Sequence, residues 1–190
     1  LQDCLARLAN GPVAVRGAGR TDAGVHALGQ VASFAADLRL APEALRRALN
    51  GMLPRDIAVR QVGEAEPDFD AQFSARARTY RYTLLSRETR SALAARTSLF
   101  VPPPLELSAM QAAAAAVEGR HDFSAFRAGT CAARTPMRTV HSAVWRQDGE
   151  FWQFEITADG FLQHMVRILV GTMLEIGRGR RDPAAIAAVL

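Results

Sequence analysis

At 190 residues, of which 49% are hydrophobic, the chain is long enough to bury a core in one large domain or in two smaller halves. Its 23 basic residues, all of them Arg, exceed the 19 acidic residues and favour an anionic partner such as nucleic acid, although a Lys-free composition is also typical of a GC-rich coding sequence. Two cysteines without metal-ligand spacing, and no apolar run near the roughly 20 residues that cross a bilayer, argue against a disulfide framework, a metal site and a membrane span, and they favour a cytoplasmic protein.

The N-terminal part of the chain alternates helices and strands. Apolar residues at helical spacing open the chain, and period-two alternation follows the first glycine-rich loop. The clearest strand pattern is TYRYTLL, in which Tyr80 and Tyr82 share one face and Arg81 lies on the other. We predict helices over Leu1–Asn10 and Pro42–Gly51, and strands over Val31–Ala36, Asp56–Val62 and Thr79–Leu85.

The C-terminal part begins with a proline-rich segment, Ser91–Leu107, which predicts a linker between halves 1–100 and 101–190. Ser108 predicts the N-cap of an Ala-rich helix that ends near Glu118. Together with the N-terminal elements, these patterns indicate an α+β fold with a mixed or mainly antiparallel sheet flanked by helices. The remaining elements are a hairpin of Thr139–Gln147 with Phe151–Ala158, and a helix from Phe161 to Ile176 that Gly177 ends.

A polar loop precedes the strand at Val31–Ala36. In the stretch GRTDAGVHALGQVASF, the glycines allow a tight turn and gather Arg20, Asp22 and His26 at the mouth of a sheet. A turn closed by an Asx-type hydrogen bond from Asp22 would explain these residues. The alternative is a carboxylate displayed on a tight turn beside a strand, with a cation and an imidazole in the same short loop.

Tyr80 lies in the stretch ARARTYRY, among arginines at 76, 78 and 81. A strand aromatic most often packs in a core. Aromatic rings interleaved with guanidinium groups also suit a pocket for an unstacked base, because the ring stacks on the base while the cations bind phosphate.

Arg167 lies in the apolar stretch FLQHMVRILVGTM. A guanidinium buried there without a partner would be costly, so a buried Arg167 needs a carboxylate, for which Asp22 is the candidate. Such a pair would favour the ionised form of the carboxylate. The other possibility is that Arg167 reaches the surface along its aliphatic stem.

The string GRTDAGVHA resembles, almost letter for letter, the catalytic motif of the TruA-type tRNA pseudouridine synthases. The resemblance implies a pseudouridine synthase fold with two similar-sized halves around a central cleft. It also implies an isomerase (an intramolecular transferase) that converts uridine to pseudouridine at positions 38 to 40 of tRNA, in the anticodon stem-loop. The enzyme would need no cofactor, and a homodimer would bind tRNA.

The resemblance also assigns roles to matching positions. Asp22 would be the nucleophile, Arg20 would flip the target base, Tyr80 would stack on the uracil, and Arg167 would pair with Asp22. Positions that match tRNA contacts of the family are Phe69, Gln72 and Phe73 of FDAQF, together with Arg127 and Arg134 of the FRA and RTP elements.

The chain departs from the family in two respects. Gln72 stands where the family commonly has Arg, which puts one phosphate contact in doubt. Family members also usually carry an element before the position of Leu1 and further elements after that of Leu190, so we expect both family termini to be lacking and a sheet edge to be exposed.

Two other functions are possible on the sequence alone. A domain of the same fold could bind tRNA without converting it. A hydrolase of the aspartic-protease kind would need the order Asp-Thr-Gly and a second facing carboxylate, and neither is evident around Asp22.

Overall fold

The computed structural model describes residues 1–190, which pack as two compact units, Leu1–Arg76 and Ala77–Leu190. This boundary lies well before the division at 100/101 that the proline-rich segment predicts. The reason is strand β3, Arg78–Leu85, which pairs along its whole length with strand β7, Phe151–Ala158. Ser91–Leu107 is therefore not a linker between the units: it contains strand β4, Leu99–Phe100, which pairs in parallel with β3.

The first unit contains two helices and a two-stranded sheet. Its elements are α1 (Gln2–Leu8), β1 (Val15–Gly17), β2 (Ala32–Phe34) and α2 (Pro42–Met52). Strands β1 and β2 are antiparallel, with Arg16 opposite Ser33. The two predicted helices are confirmed, and their inward residues Leu5, Leu45 and Leu49 form a small core together with Val13 and Leu53.

The strand predicted over Asp56–Val62 is wrong, since this segment has no ladder partner. A side chain takes the place of a neighbouring strand: the Asn50 amide donates to the Val59 carbonyl and accepts from the Val59 N–H, both at 2.8 Å. An amide side chain has the same donor and acceptor pair as a peptide group, so it satisfies an extended backbone without forming a sheet.

The second unit is built on a five-stranded sheet in the order β4-β3-β7-β6-β5, where β5 is Gly119–Asp122 and β6 is Met137–Asp148. Every pairing is antiparallel except that of β3 with β4. The predicted hairpin of β6 and β7 is confirmed, with Gly149 at a positive φ of 58° in its turn. The sheet class is therefore mixed and mainly antiparallel, as the sequence predicts.

Helices α3 (Leu107–Ala115), α4 (Met165–Gly177) and α5 (Ala184–Ala187) complete the second unit. Its large core contains Trp145, Phe154, Met110 and Leu169. Ser108 is not the N-cap of α3: Glu106 holds that position, and its carboxylate accepts the Ser108 N–H at 3.3 Å. No helix of the chain is both long and apolar enough to span a bilayer.

Candidate functional site

The polar loop of the sequence analysis joins β1 to β2. Its neck is closed by a hydrogen bond from the Ala18 N–H to the Val31 carbonyl at 2.8 Å. A second bond runs from the Gln30 side-chain amide to the Gly19 carbonyl at 2.9 Å. The loop is thus a continuation of the hairpin, held at its base by the sheet.

Asp22 opens a tight turn inside this loop. Its carbonyl accepts the Val25 N–H at 3.1 Å, and Gly24 has a φ of 82°. A residue with a side chain would be strained at that φ, so the glycine is what allows the turn. Asp22 is half-buried, whereas Arg20 and His26 are exposed. The structure therefore has the tight turn that the glycines predict, with an acidic residue at its first position.

A second turn, Asp70–Phe73, is attached to the same two strands. The Arg16 guanidinium in β1 contacts the Asp70 carboxylate at 2.9 Å, and the Ser33 hydroxyl in β2 accepts the Ala71 N–H at 3.0 Å. Because Arg16 and Ser33 are directly opposite each other, a single rung of the hairpin anchors this turn.

Asp70 also holds the turn closed from within. Its Oδ1 accepts the N–H groups of Gln72 at 2.8 Å and of Phe73 at 3.0 Å. Partial burial tends to raise the pKa of the Asp70 carboxyl, but these two N–H groups and the Arg16 guanidinium outweigh it and hold that pKa below its ordinary value. The carboxylate therefore stays ionised, and the turn stays closed, at neutral pH.

Tyr80 lies in the second unit and packs partly against its core. Its ring meets that of Phe161 edge to face, with the centroids 4.9 Å apart and the planes at 89°. Arg81 does not lie beside this ring, because alternation puts it on the opposite face of β3, where it pairs with Glu155 at 2.9 Å. Arg78 donates to the Asp159 carbonyl at 3.2 Å.

The expected burial of Arg167 is wrong, because its residue is exposed and the chain has no buried charged residue. Helix α4 begins at Met165 rather than at Phe161, since His164 takes a left-handed φ of 62° just before it. Arg167 consequently lies in the first turn of α4, on its exposed face. The inward side of the helix carries the buried Met165, Leu169 and Val170. Arg167 therefore reaches the surface, and its pairing with Asp22 stays a prediction.

Two further arginines of the predicted site, Arg127 and Arg134, are exposed in the loop before β6. This loop is fastened to the segment before α4 by a bond from the Ala128 N–H to the Gln163 carbonyl at 3.0 Å. Backbone hydrogen bonds with Ala133 and Gln163, and more weakly the charges of Arg127 and Arg138, lower the pKa of the Cys131 thiol. This thiol therefore lies in an electropositive environment.

Two neighbours of the predicted site residues, Arg16 and Phe161, were not predicted from the sequence. The signal for Phe161 was its position directly before an apolar helix, and that for Arg16 was its position in the strand that enters the polar loop.

The predicted site residues are divided between the units. The first unit holds Arg20, Asp22, Phe69, Gln72 and Phe73, and the second holds Tyr80, Arg127, Arg134 and Arg167. No group of three or more His, Cys, Asp or Glu side chains is placed to hold a metal ion.

Comparison with known proteins gives a consistent result. The sequence profile of a family described as tRNA pseudouridine synthase matches residues 3–74 and 113–190. A tRNA pseudouridine synthase A of Geobacter sp. (strain M21) is 43% identical over 190 residues, which is all of this chain and 77% of that protein. Proteins of the same name from Syntrophotalea carbinolica and Methylococcus capsulatus are 46% and 44% identical over the whole chain, which covers 75% and 70% of their lengths.

The profile match includes the loop with Asp22 and the helix with Arg167, whereas β3 with Tyr80 lies between the matched segments. The three relatives align over β3 as well, because their alignments span the whole chain. By this similarity, the chain belongs to the tRNA pseudouridine synthase family.

Proposed function

We propose that this protein isomerises uridine to pseudouridine at positions 38 to 40 in the anticodon stem-loop of tRNA, with Asp22 as the nucleophile. Its membership of the tRNA pseudouridine synthase family is the observation that carries the proposal. The tight turn at Asp22 supports it, since the turn and the closed neck of the loop fix the backbone that carries the half-buried Asp22 side chain.

Arg20 and Tyr80 would prepare the substrate. A uridine stacked in RNA is inaccessible to a carboxylate, so the base must first leave its stack. Arg20, exposed two residues before Asp22, would displace the uridine and occupy its space. Tyr80 would stack on the extracted uracil, and the edge contact with Phe161 would limit rotation of its ring.

Asp22 would then attack the nucleotide, either at the anomeric carbon or at carbon six of the uracil, or would promote a glycal intermediate. In each route the bond from the anomeric carbon to N1 breaks, the uracil rotates, and a bond from the anomeric carbon to C5 forms. C5 loses its proton and N1 gains one, so the product is an isomer and no electron acceptor or cofactor is required. Arg167 would pair with the Asp22 carboxylate.

The tRNA would also contact exposed residues outside the reaction site. The exposed residues Phe69, Gln72, Phe73, Arg127 and Arg134 would contact it, and the net charge of +4 would assist association with the anionic RNA. We further propose a homodimer that acts in the cytoplasm.

Pseudouridine mapping tests the proposal. Unmodified tRNA is incubated with the wild-type chain, and the modified positions are located by chemical derivatisation and reverse transcription. We expect conversion confined to positions 38 to 40. Conversion elsewhere would contradict the target assignment, and tRNA binding without any conversion would identify a binding domain.

A further inference from the structure

An exposed arginine and an exposed phenylalanine are stacked beside the Asp22 loop. The carbon at the centre of the Arg16 guanidinium lies 5.7 Å from the centroid of the Phe73 ring, over its face. Phe73 is 73% exposed and the Arg16 side chain is 55% exposed. This pair lies at the base of the hairpin whose loop carries Asp22, since Gly17 is the last residue of β1.

The Arg16 guanidinium is held in place by one ion pair that uses only part of its N–H donors. One of its terminal nitrogens, Nη1, contacts Asp70 Oδ2, while Asp70 Oδ1 is engaged by the N–H groups of the turn. An arginine has five N–H donors in a planar fork, and one contact with a carboxylate leaves most of them available. Arg16 is thus held in place by Asp70 and still able to bind an anion.

A purely structural role does not account for the pair. An ion pair whose arginine is 55% exposed contributes little to folding stability, and a ring that is 73% exposed belongs to no core. A second exposed aromatic, Phe69 at 42%, lies in the same segment. Exposed rings beside an oriented cation favour a ligand that has both a flat apolar face and a negative charge.

Single-stranded RNA has these two features in each nucleotide. A base stacks on an aromatic ring, and the adjoining phosphate accepts from a guanidinium. We propose that Arg16 and Phe73 form a nucleotide-binding platform, in which the open face of Phe73 stacks on an unpaired base of the tRNA and Arg16 binds an adjacent phosphate. This inference rests on the proposed function and adds Arg16 as an RNA-contacting residue.

Gln72 gives the platform a further consequence. Gln72, in the same turn, stands where the family commonly has Arg, which puts one phosphate contact in doubt. Arg16 contacts that turn from the neighbouring strand and supplies a guanidinium at its surface. Arg16 therefore supplies the positive charge that the turn Asp70–Phe73 does not have.

The test measures the affinity of unmodified tRNA over a range of salt concentrations for four variants. Arg16→Gln removes the phosphate contact, Arg16→Lys keeps the charge, and Phe73→Leu removes the stacking surface. Arg46→Gln is the matched control, because Arg46 forms a comparable surface ion pair with Glu43 at 2.6 Å in α2 but contacts no aromatic ring. Melting temperature and steady-state kinetics are recorded for each variant.

We expect Arg16→Gln to raise KM with little change in kcat, and to lower the slope of log affinity against log salt by about 0.7 to 0.9, the value of one phosphate contact. Arg16→Lys should restore the slope. Phe73→Leu should weaken binding roughly tenfold at an unchanged slope, because a stacked base is uncharged. Arg46→Gln should resemble the wild type.

Wild-type affinity and slope in Arg16→Gln, at an unchanged melting temperature, would overturn the inference. So would an equal loss in Arg46→Gln, or a change in self-association rather than RNA affinity in Phe73→Leu. If the wild type binds tRNA with the expected variant pattern but converts no uridine, the proposed activity fails and the platform stands. If the wild type binds no tRNA, both fail.

Discussion

At the scale of single residues, backbone conformation decides how the acidic and basic groups are presented. Asp22 is at the first position of a turn that Gly24 makes possible, and its loop is closed at the neck by Ala18 and Gln30. Arg167 follows a left-handed His164 and therefore lies in the first turn of α4, on its exposed face.

Substituting Asp22 tests the nucleophile. We expect Asp22→Asn to abolish conversion, by a factor on the order of a million if Asp22 forms the covalent intermediate, because an amide cannot attack in its place. Affinity for tRNA should persist. Turnover and binding are measured together, with the exposed Asp56→Asn as the matched control. Full activity in Asp22→Asn would remove Asp22 from the mechanism.

Substituting Arg167 separates catalysis from stability. Because Arg167 is exposed, Arg167→Ala should change the free energy of unfolding by no more than about 0.5 kcal/mol. Conversion should fall roughly 100-fold if Arg167 positions the Asp22 carboxylate. Arg181→Ala, which removes the same charge from an exposed site, is the control. A large loss of stability in Arg167→Ala, or an equal loss of activity in Arg181→Ala, would contradict this assignment.

At the scale of elements, close packing fixes α3 against α4. A Cβ added to Gly177 would lie 2.6 Å from Met110 Sδ and 2.8 Å from Met110 Cγ, and Met110 is fully buried. Gly171, in the same helix, has no atom within 4 Å of an added Cβ. Two glycines of one helix thus have opposite surroundings.

This contrast predicts opposite signs for the same substitution. Gly171→Ala should stabilise the protein by up to about 1 kcal/mol, the gain in helix propensity. Gly177→Ala should destabilise it by about 1 to 3 kcal/mol, because Met110 must be displaced in a filled core. Urea unfolding of both variants measures the difference. Stabilisation by Gly177→Ala would show that the α3 and α4 contact yields readily.

At the scale of the whole molecule, each unit has its own hydrophobic core. The core of the first unit has five buried residues, while that of the second joins α3 and α4 to the five-stranded sheet. The smaller core leaves the first unit, and with it the Asp22 loop, more sensitive to the loss of one apolar side chain.

We expect Leu49→Ala to cost about 2 to 5 kcal/mol, since Leu49 is 1% exposed in the smaller core. Leu40→Ala, at a 39% exposed position, should cost far less. Amide hydrogen exchange should show the loss of protection in Leu1–Arg76, with β6 and β7 still protected. An equal loss in β6 and β7 would mean that the two units unfold together.

Elements that depend on interactions between residues close in sequence could be predicted from the sequence, whereas features that depend on contacts between distant residues could not. Both N-terminal helices, the hairpin of β6 and β7 and the strand carrying Tyr80 have short-range apolar patterns, and all are confirmed. Asp56–Val62 has a strand pattern but no partner strand, and Asn50 satisfies part of its backbone instead. Ser108 is a residue type that often caps helices, but α3 begins at Leu107, so Glu106 and not Ser108 is its N-cap.

The sequence by itself determined the α+β class, the tight turn at Asp22 and the family, because these depend on local patterns and on a motif nine residues long. Only the tertiary structure decided that the units divide before Ala77, that Arg167 is exposed, and that Arg16 is stacked on Phe73. Each of these depends on which distant segments pack together: β3 on β7, α4 on the sheet, and the Asp70–Phe73 turn on the first hairpin. Side-chain spacing along a chain contains no direct record of such contacts.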